Sequence, residues 1–385
     1  MPTFGQLSVE PVVVGEKAAA AVVSDEVFLS PGGTGHLLVL SSSREGDSGT
    51  TSTAVVVDAP TGQRACQMQM HVTGGIIAAA AVPDEARVVL VTDAGMAQIW
   101  DMATGEMVAS AKVPGSFELV WWGRRPVVFA RGDKVLMLIM RTLYAWVPSS
   151  EEEARVVWGD DVGSDGTVLA LSPDGEQAWV WQNSSDSLVQ MDTATWEVRQ
   201  TLPRTDPKGR AMMGVCAALS YDGGWMAVAA RSRDDRDEFD LSQQEHHLWT
   251  FQVGGAGFAA VPAPIDRAPQ FMAVSSTGSV LAYGMETTLY AWDMHATPPA
   301  LVCKMSAEIE FSSMAFTRDD VLCLPCKLAA QTVVSLRLSL GALCELGVAE
   351  GDRGRKSPLA EELEGMLVVI NAAFVAKECV VVTVD

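Results

Sequence analysis

At 385 residues the chain has room for two ordinary domains or one large all-β array, and 48% hydrophobic content excludes wholesale disorder. Its formal charge of −21, from 27 Lys and Arg against 48 Asp and Glu, argues against direct binding to DNA and makes basic proteins the easier partners to infer. Seven Cys, an odd number set mostly inside apolar runs, read as reduced core thiols of an intracellular protein, cytoplasmic or nuclear.

Residues 1–20 lack the basic start and continuous apolar core of a signal peptide. Apolar runs such as 75–82 (GIIAAAAV) fall far short of the roughly 20 residues that span a bilayer, so no membrane insertion is expected. Short apolar runs closed by Gly, Pro, Asp, Asn or Ser fill the chain, which predicts strands and tight turns throughout. The first unit is FLSPGGTGHLLVLSS (28–42) with TAVVVDAPTGQRACQMQM (53–70). The second, 76–113, gives IIAAAAV, a turn at Pro83-Asp84-Glu85, RVVLVTD, MAQIWD, a turn at Ala103-Thr104-Gly105, and EMVASAKV. The third and weakest, 117–148, gives FELVWWG, PVVFARG, VLMLIM and LYAWV, without an Asp-Gly turn.

The fourth unit, 167–203, is the clearest. TVLALS ends at Ser172-Pro173-Asp174-Gly175, whose Pro and Gly preset a turn; QAWVWQN, SLVQMD and WEVRQTL follow, with a second turn at Thr193–Thr195. The fifth runs through GVCAALS, Tyr221-Asp222-Gly223-Gly224, WMAVAARS and, after a polar insertion, HHLWTFQV. The sixth, 270–306, gives QFMAVSS, SVLAYGM, TLYAWDM and ALVCKMS; the seventh, 309–340, gives EFSSMAFT, VLCLPCK and TVVSLRLSL. Polar stretches at 43–53, 149–166, 231–244 and 350–364 are expected to be surface loops, with Ser357 a candidate helix N-cap. Residues 366–385 read as two further strands, and 7–14 and 18–24 as one or two more.

Each unit is an antiparallel meander too small to bury both of its faces alone, and the units recur every 40–55 residues or so. The pattern resembles the WD-repeat family, and also the YVTN-type bacterial repeats at 167–203 (SPDG…DTAT). Trp-Asp is literal at Trp100-Asp101 and Trp292-Asp293 and approximated at Met191-Asp192, Val57-Asp58 and Leu248-Trp249. The family's Gly-His before the first strand is missing; Gly35-His36 instead opens a second strand, so the family's Asp–His–Ser–Trp network is not carried over. The resemblance covers about residues 20–348 and implies an all-β fold: a single WD40-like β-propeller over 1–385, built of four-stranded antiparallel blades and closed by terminal strands. Seven blades are favoured, with eight, or a fragment of a longer chain, as alternatives.

No residue set rises to a catalytic, cofactor or metal signature. Cys323-x-x-Cys326, with Cys303 and Cys344 near in sequence, lies in strand-like runs and reads as core rather than zinc. None of His36, His71, His246, His247 and His295 has a nucleophile partner in sequence, and adjacent His246 and His247 point to opposite faces of a strand. Asp160-Asp161 with Asp165, and the acidic run 234–238, lack the alternation of a calcium loop. No phosphate-binding glycine motif is present. Trp100, Trp179, Trp249 and Trp292 read as blade-packing residues; of Trp121-Trp122, one is expected to face outward.

The family resemblance therefore implies a non-catalytic protein–protein interaction scaffold, a subunit or adaptor of a multiprotein intracellular complex, with no cofactor and no small-molecule ligand. Two alternatives stand beside it. One is a propeller enzyme, lactonase-like or quinoprotein-like, with a metal or cofactor at the central channel; the mostly apolar inner strands argue against it. The other is a ribonucleoprotein assembly factor, as in ribosome biogenesis, using basic groups such as Gly123-Arg124-Arg125 or Lys356 and its neighbours.

Overall fold

In the computed structural model the chain folds as a β-propeller of antiparallel sheets. The structure describes residues 7–13, 22–29, 36–44, 50–58, 64–72, 75–82, 86–114, 127–131, 134–139, 142–149, 153–158, 166–172, 175–182, 187–203, 212–232, 246–254, 263–265, 269–285, 287–297, 299–306, 309–311, 314–317, 319–328, 333–340, 343, 363 and 378–384.

The described strands make seven sheets, numbered here as blades. Blade 1 comprises Val22–Leu29, His36–Arg44, Thr50–Asp58 and Arg64–Val72. Blade 2 comprises Ile76–Val82, Arg87–Thr92, Met96–Asp101 and Met107–Lys112. Blade 3 comprises Val127–Arg131, Lys134–Ile139, Thr142–Trp146 and Arg155–Trp158. Blade 4 comprises Thr167–Leu171, Gln177–Gln182, Ser187–Asp192 and Val198–Pro203. Blade 5 comprises Met212–Leu219, Trp225–Ser232, His246–Gln252 and Ala263–Ile265. Blade 6 comprises Phe271–Val274, Val280–Met285, Thr288–Asp293 and Ala300–Ser306. Within each of these six blades the strands pair in sequence order.

Blade 7 is built differently. Ile309–Phe311 and Ala315–Phe316 both pair with Leu322–Leu328, which pairs with Val333–Leu338. Glu378–Val384 then adds parallel to Val333–Leu338, and Leu7–Val13 adds antiparallel to it, so strands from both ends of the chain complete this sheet. The first strand of blade 1 contacts Leu322–Leu328 and Val333–Leu338 of blade 7, and blade-to-blade contacts run through all seven sheets.

Most of the core lies between blades. Val88 and Leu90 of blade 2 pack with Met68, Met70 and Val72 of blade 1, while the alternate residues Val89 and Val91 pack with Val135, Met137 and Ile139 of blade 3. In blade 4, Ala178 and Val180 face blade 3, whereas Trp179 and Trp181 face Met226, Val228 and Phe251 of blade 5. A period-2 strand buried on both faces must be apolar at every position, which is why these runs are unbroken. Each fully buried Val or Leu contributes about 1.5–3 kcal/mol. The first strands contact their counterparts in neighbouring blades, so small side chains such as Ala78, Ala79 and Ala80 are needed there.

Several sequence expectations are corrected. In blade 3 the first described strand is Val127–Arg131, which pairs antiparallel with Lys134–Ile139, and FELVWWG (117–123) lies outside the described residues. The stretch 149–166 is not all loop, since it contains the fourth strand, Arg155–Trp158. The expected loop at 43–53 shrinks, since Ser43 and Arg44 pair with Thr51 and Thr50 and the hairpin ladder simply continues. Blade 4's last strand begins at Val198, leaving Trp196 in the turn. Of the stretch 350–364 the structure describes Leu363, helical and fully buried. The first of the two strands expected in 366–385 lies outside the described residues, as do Trp121-Trp122, Gly123-Arg124-Arg125 and Lys356.

Candidate functional site

Two turn devices recur and define one face of the disc. At the turn between first and second strands, a buried hydroxyl closes the loop on itself. Ser172 N–H donates to the Gln177 carbonyl (2.9 Å) and its Oγ accepts from Gln177 N–H (2.9 Å). Ser220 does the same with Trp225, Ser275 with Val280, and Thr317 with Val321. The residue completing each turn has positive φ: Gly175, Gly223, Gly278 and Asp320.

At the turn between third and fourth strands, an Asp side chain organises the backbone. Asp101 Oδ1 accepts from the N–H groups of Ala103 and Thr104, both at 2.8 Å; Asp192 Oδ1 accepts from Ala194 (2.8 Å) and Thr195 (3.0 Å). Asp293 repeats the pattern with His295 and Ala296. A carboxylate that accepts two amide protons is stabilised in its charged form. The Thr104 and Ala103 amides accordingly hold Asp101 below the usual carboxylate range. Thr195 and Ala194, together with the Arg199 guanidinium that bonds Asp192, lower Asp192 to about 2. The Asp of the Trp-Asp dipeptide is therefore a turn cap here. The Trp100 indole donates to Gln98 Oε1 (3.2 Å).

The two turns of a blade are tied together, which places both on the same face. Met102 N–H donates to the Ala86 carbonyl, Thr193 N–H to Glu176, Val253 N–H to Gly224 and Met294 N–H to Ser279. The same face is tied between blades: Asp320 of blade 7 accepts from Ser276 N–H and Oγ of blade 6 at 2.6 and 2.7 Å, and Lys134 of blade 3 reaches Thr193 Oγ1 of blade 4.

Apolar side chains are exposed beside these turns. Met107, Val198 and Leu301 are 49%, 48% and 44% exposed, and each pairs with the residue preceding the turn Asp: Trp100, Met191 and Trp292. They are one register position repeated in blades 2, 4 and 6. Val108 and Val147 are exposed as well. Between blades 3 and 4, Trp158 and Trp196 are each half-buried and stacked, with ring centroids 5.4 Å apart. Trp196 has φ +60°, a left-handed backbone, at the position Gly105 occupies in blade 2.

The residues singled out in the sequence do not converge. Cys216, Cys303 and Cys323 are buried, in blades 5, 6 and 7; nothing is described of the Cys66, Cys326 and Cys379 side chains, and Cys344 lies outside the described residues. His246 and His247 lie on one strand of blade 5, His295 is exposed at a blade 6 turn, and His71 is exposed in blade 1. Among the described residues no group of His, Cys, Asp and Glu could hold a metal, and no helix is long and apolar enough to cross a membrane. Both acidic clusters, 160–165 and 234–238, lie outside the described residues. Trp100, Trp179 and Trp249 are buried between blades as expected, and Trp292 packs partly buried there. The Trp158–Trp196 pair was missed; aligning DTATW with DMATG would have put a Trp in a glycine's place.

Comparison with known proteins gives the same architecture. The chain is similar in structure to hydrazine synthase of Kuenenia stuttgartiensis (TM-score 0.54, 16% identity, 86% of this chain and 99% of that one). It is similar also to KlHsv2 with loop 6CD replaced by a Gly-Ser linker (TM-score 0.52, 11% identity, 79% and 89%). A third likeness is the β-propeller domain of Myceliophteria thermophila Cps50 (Swd1), with TM-score 0.48, 11% identity and coverage of 82% and 96%. No family model matches the chain, and no curated protein matches it in sequence. The fold is that of a β-propeller.

Proposed function

We propose that the protein is a non-catalytic scaffold of the WD-repeat type, a rigid disc that docks other proteins as a subunit or adaptor of an intracellular complex. The observation that carries this reading is the repeated register position of Met107, Val198 and Leu301. Three blades present a large apolar side chain to solvent at the same place beside a tightly capped turn. A single exposed apolar residue is ordinary, but a repeat of one at equivalent positions is a feature of the surface design. The turn Asp residues of the Trp-Asp dipeptides at 100–101 and 292–293 support the WD-repeat assignment, and the net charge of −21 favours basic partners.

The test is a tagged pull-down from native extract at moderate and high salt, comparing the parent with a Met107→Ser, Val198→Ser, Leu301→Ser variant. A stoichiometric, salt-resistant partner set that the triple variant loses is the expected result. Recovery of the protein alone under both conditions would overturn the reading, and metal analysis with activity screening would then address the enzyme alternative.

A further inference from the structure

The geometry points to the seam between blades 3 and 4 as a docking surface for an arginine-containing basic polypeptide segment, with Trp196 as the platform on which a guanidinium stacks. This rests on the scaffold reading above and gives one of its surfaces a partner chemistry.

Trp196 is in the wrong backbone conformation for its residue type. Its turn is superimposable in its bonding on the one at Asp101. The Asp carbonyl accepts from Gly105 N–H in one and from Trp196 N–H in the other; the Asp N–H donates to Glu106 in one and Glu197 in the other. Glycine adopts positive φ freely, whereas a bulky side chain there is strained, and such outliers cluster at binding sites. Nothing about the turn requires an indole, since Gly105 completes the identical turn.

The ring is also placed for contact. It is half-exposed and stacks at 27° on Trp158. Both rings pack on one side against the core between blades 3 and 4 and the Trp158 Nε1 is buried, so the exposed part of Trp196 is what the seam offers a partner. Val198, two residues on, is 48% exposed. Trp is the residue type most enriched in binding hot spots, and an indole face is the preferred aromatic partner for a cation.

Charge selects the occupant. Over residues 147–199 the sequence carries eleven Asp and Glu against Arg155 and Arg199, a net of −9 out of the chain's −21. Arg199 is engaged by Asp192, and Lys134, which approaches from blade 3, donates to Thr193. Glu153, Glu176 and Glu197 are exposed at the turns of these two blades. Glu153, Glu176, Asp192 and Glu197 are the described carboxylates of that stretch, and an apolar aromatic surface carried on so acidic a sequence is complementary to a basic segment. Arginine fits it better than lysine, because a planar guanidinium stacks on an indole while keeping its in-plane N–H groups free for carboxylates.

The decisive measurement is fluorescence anisotropy with three labelled peptides of equal length: Arg/Gly, Lys/Gly and Gln/Gly. The protein is used full-length, as parent, Trp196→Gly and Val198→Thr. The expected order is Arg above Lys above Gln for the parent, with binding of the Arg peptide weakened about tenfold in Trp196→Gly and less in Val198→Thr. Trp196→Gly restores the residue that blade 2 uses, so it keeps the fold, and circular dichroism confirms that in the same samples. Equal binding of Arg and Lys peptides that Trp196→Gly leaves unchanged would reduce the effect to unspecific charge and overturn the inference. So would equal binding of the Gln peptide. If the extract pull-down recovers partners that Trp196→Gly retains, the scaffold reading stands and this surface falls.

Discussion

Asp192 is fully ionised at neutral pH in a turn it organises, and the consequence is a defined acid sensitivity. Its folded pKa, about 2, lies below its ordinary value of 3.8, so the stability it confers is fully present above that ordinary value. It is lost as the pH falls through about 2. Thermal melts from pH 6 to pH 2 should show a decline in the parent at the acid end that is shallower in Asp192→Asn. Equal slopes would mean that other carboxylates dominate acid unfolding. Ser220 acts at the other turn, where its fully buried Oγ accepts from Trp225 N–H and donates to Asp222 Oδ1 at 2.6 Å. Ser220→Ala leaves that amide without its acceptor and should cost about 1–3 kcal/mol in urea unfolding, with an unchanged m-value. Trp196 separates strain from contact. Trp196→Ala loses a stack worth about 0.5–1.5 kcal/mol and keeps the left-handed backbone, whereas Trp196→Gly loses the stack but relieves about 1–2 kcal/mol of strain. The glycine variant should therefore match the parent and exceed the alanine variant by about 1 kcal/mol.

Strands meet their neighbours through turns, and Gly278 shows how tightly. Its φ is +72°, and a Cβ there would lie 2.2 Å from the Trp225 ring of the preceding blade. Gly254 has a similar φ of +78° but open space around it. Gly278→Ala should destabilise by about 3 kcal/mol, combining strain with overpacking, while Gly254→Ala should cost only about 1 kcal/mol. Equal losses would mean that conformation alone, not the approach of blade 5 to blade 6, fixes glycine at 278. The same turns explain what the sequence made readable. Ser172-Pro173-Asp174-Gly175 and Tyr221-Asp222-Gly223-Gly224 are strong turn signals between unbroken apolar runs, so blade 4 is legible nearly strand for strand and blade 5 in three of its four strands, the short Ala263–Ile265 giving no signal. Blade 3 is harder to read, because Gly132-Asp133 is a two-residue signal without the Ser and Pro of its relatives, and its fourth strand, Arg155–Trp158, sits inside a polar stretch that reads as loop. The seam at Trp158 and Trp196 was invisible for a different reason. Its meaning lies in the backbone sign at one residue and in a contact between blades, and neither follows from a local pattern.

On the scale of the whole disc, stability depends on how the last sheet is completed. Val333–Leu338 would be an open edge without Glu378–Val384 beside it, and that strand would be open without Leu7–Val13. Open edges of Val-rich strands invite pairing with other chains, so both terminal strands protect the molecule as well as joining its ends. The register is specific enough to test with one atom pair. Val12 lies opposite Cys379 in the antiparallel ladder, where cross-strand Cβ atoms are about 4.5–5.5 Å apart, slightly longer than a disulfide prefers but within reach of small adjustments. Val12→Cys should therefore form a bond to Cys379 under mild oxidation, seen as loss of two thiols and a linked peptide in a proteolytic map. Since the bridge would tie together almost the full length of the chain, the entropic model sets an upper figure of about 6 kcal/mol of stabilisation, reduced by whatever strain the bridge carries. A Ser8→Cys control, opposite Thr383, has no thiol partner in the ladder and should gain nothing. If Val12→Cys instead stays reduced while Ser8→Cys cross-links, the strands pair in another register. If neither reacts and the melting temperature is unmoved, the N-terminal strand does not complete blade 7.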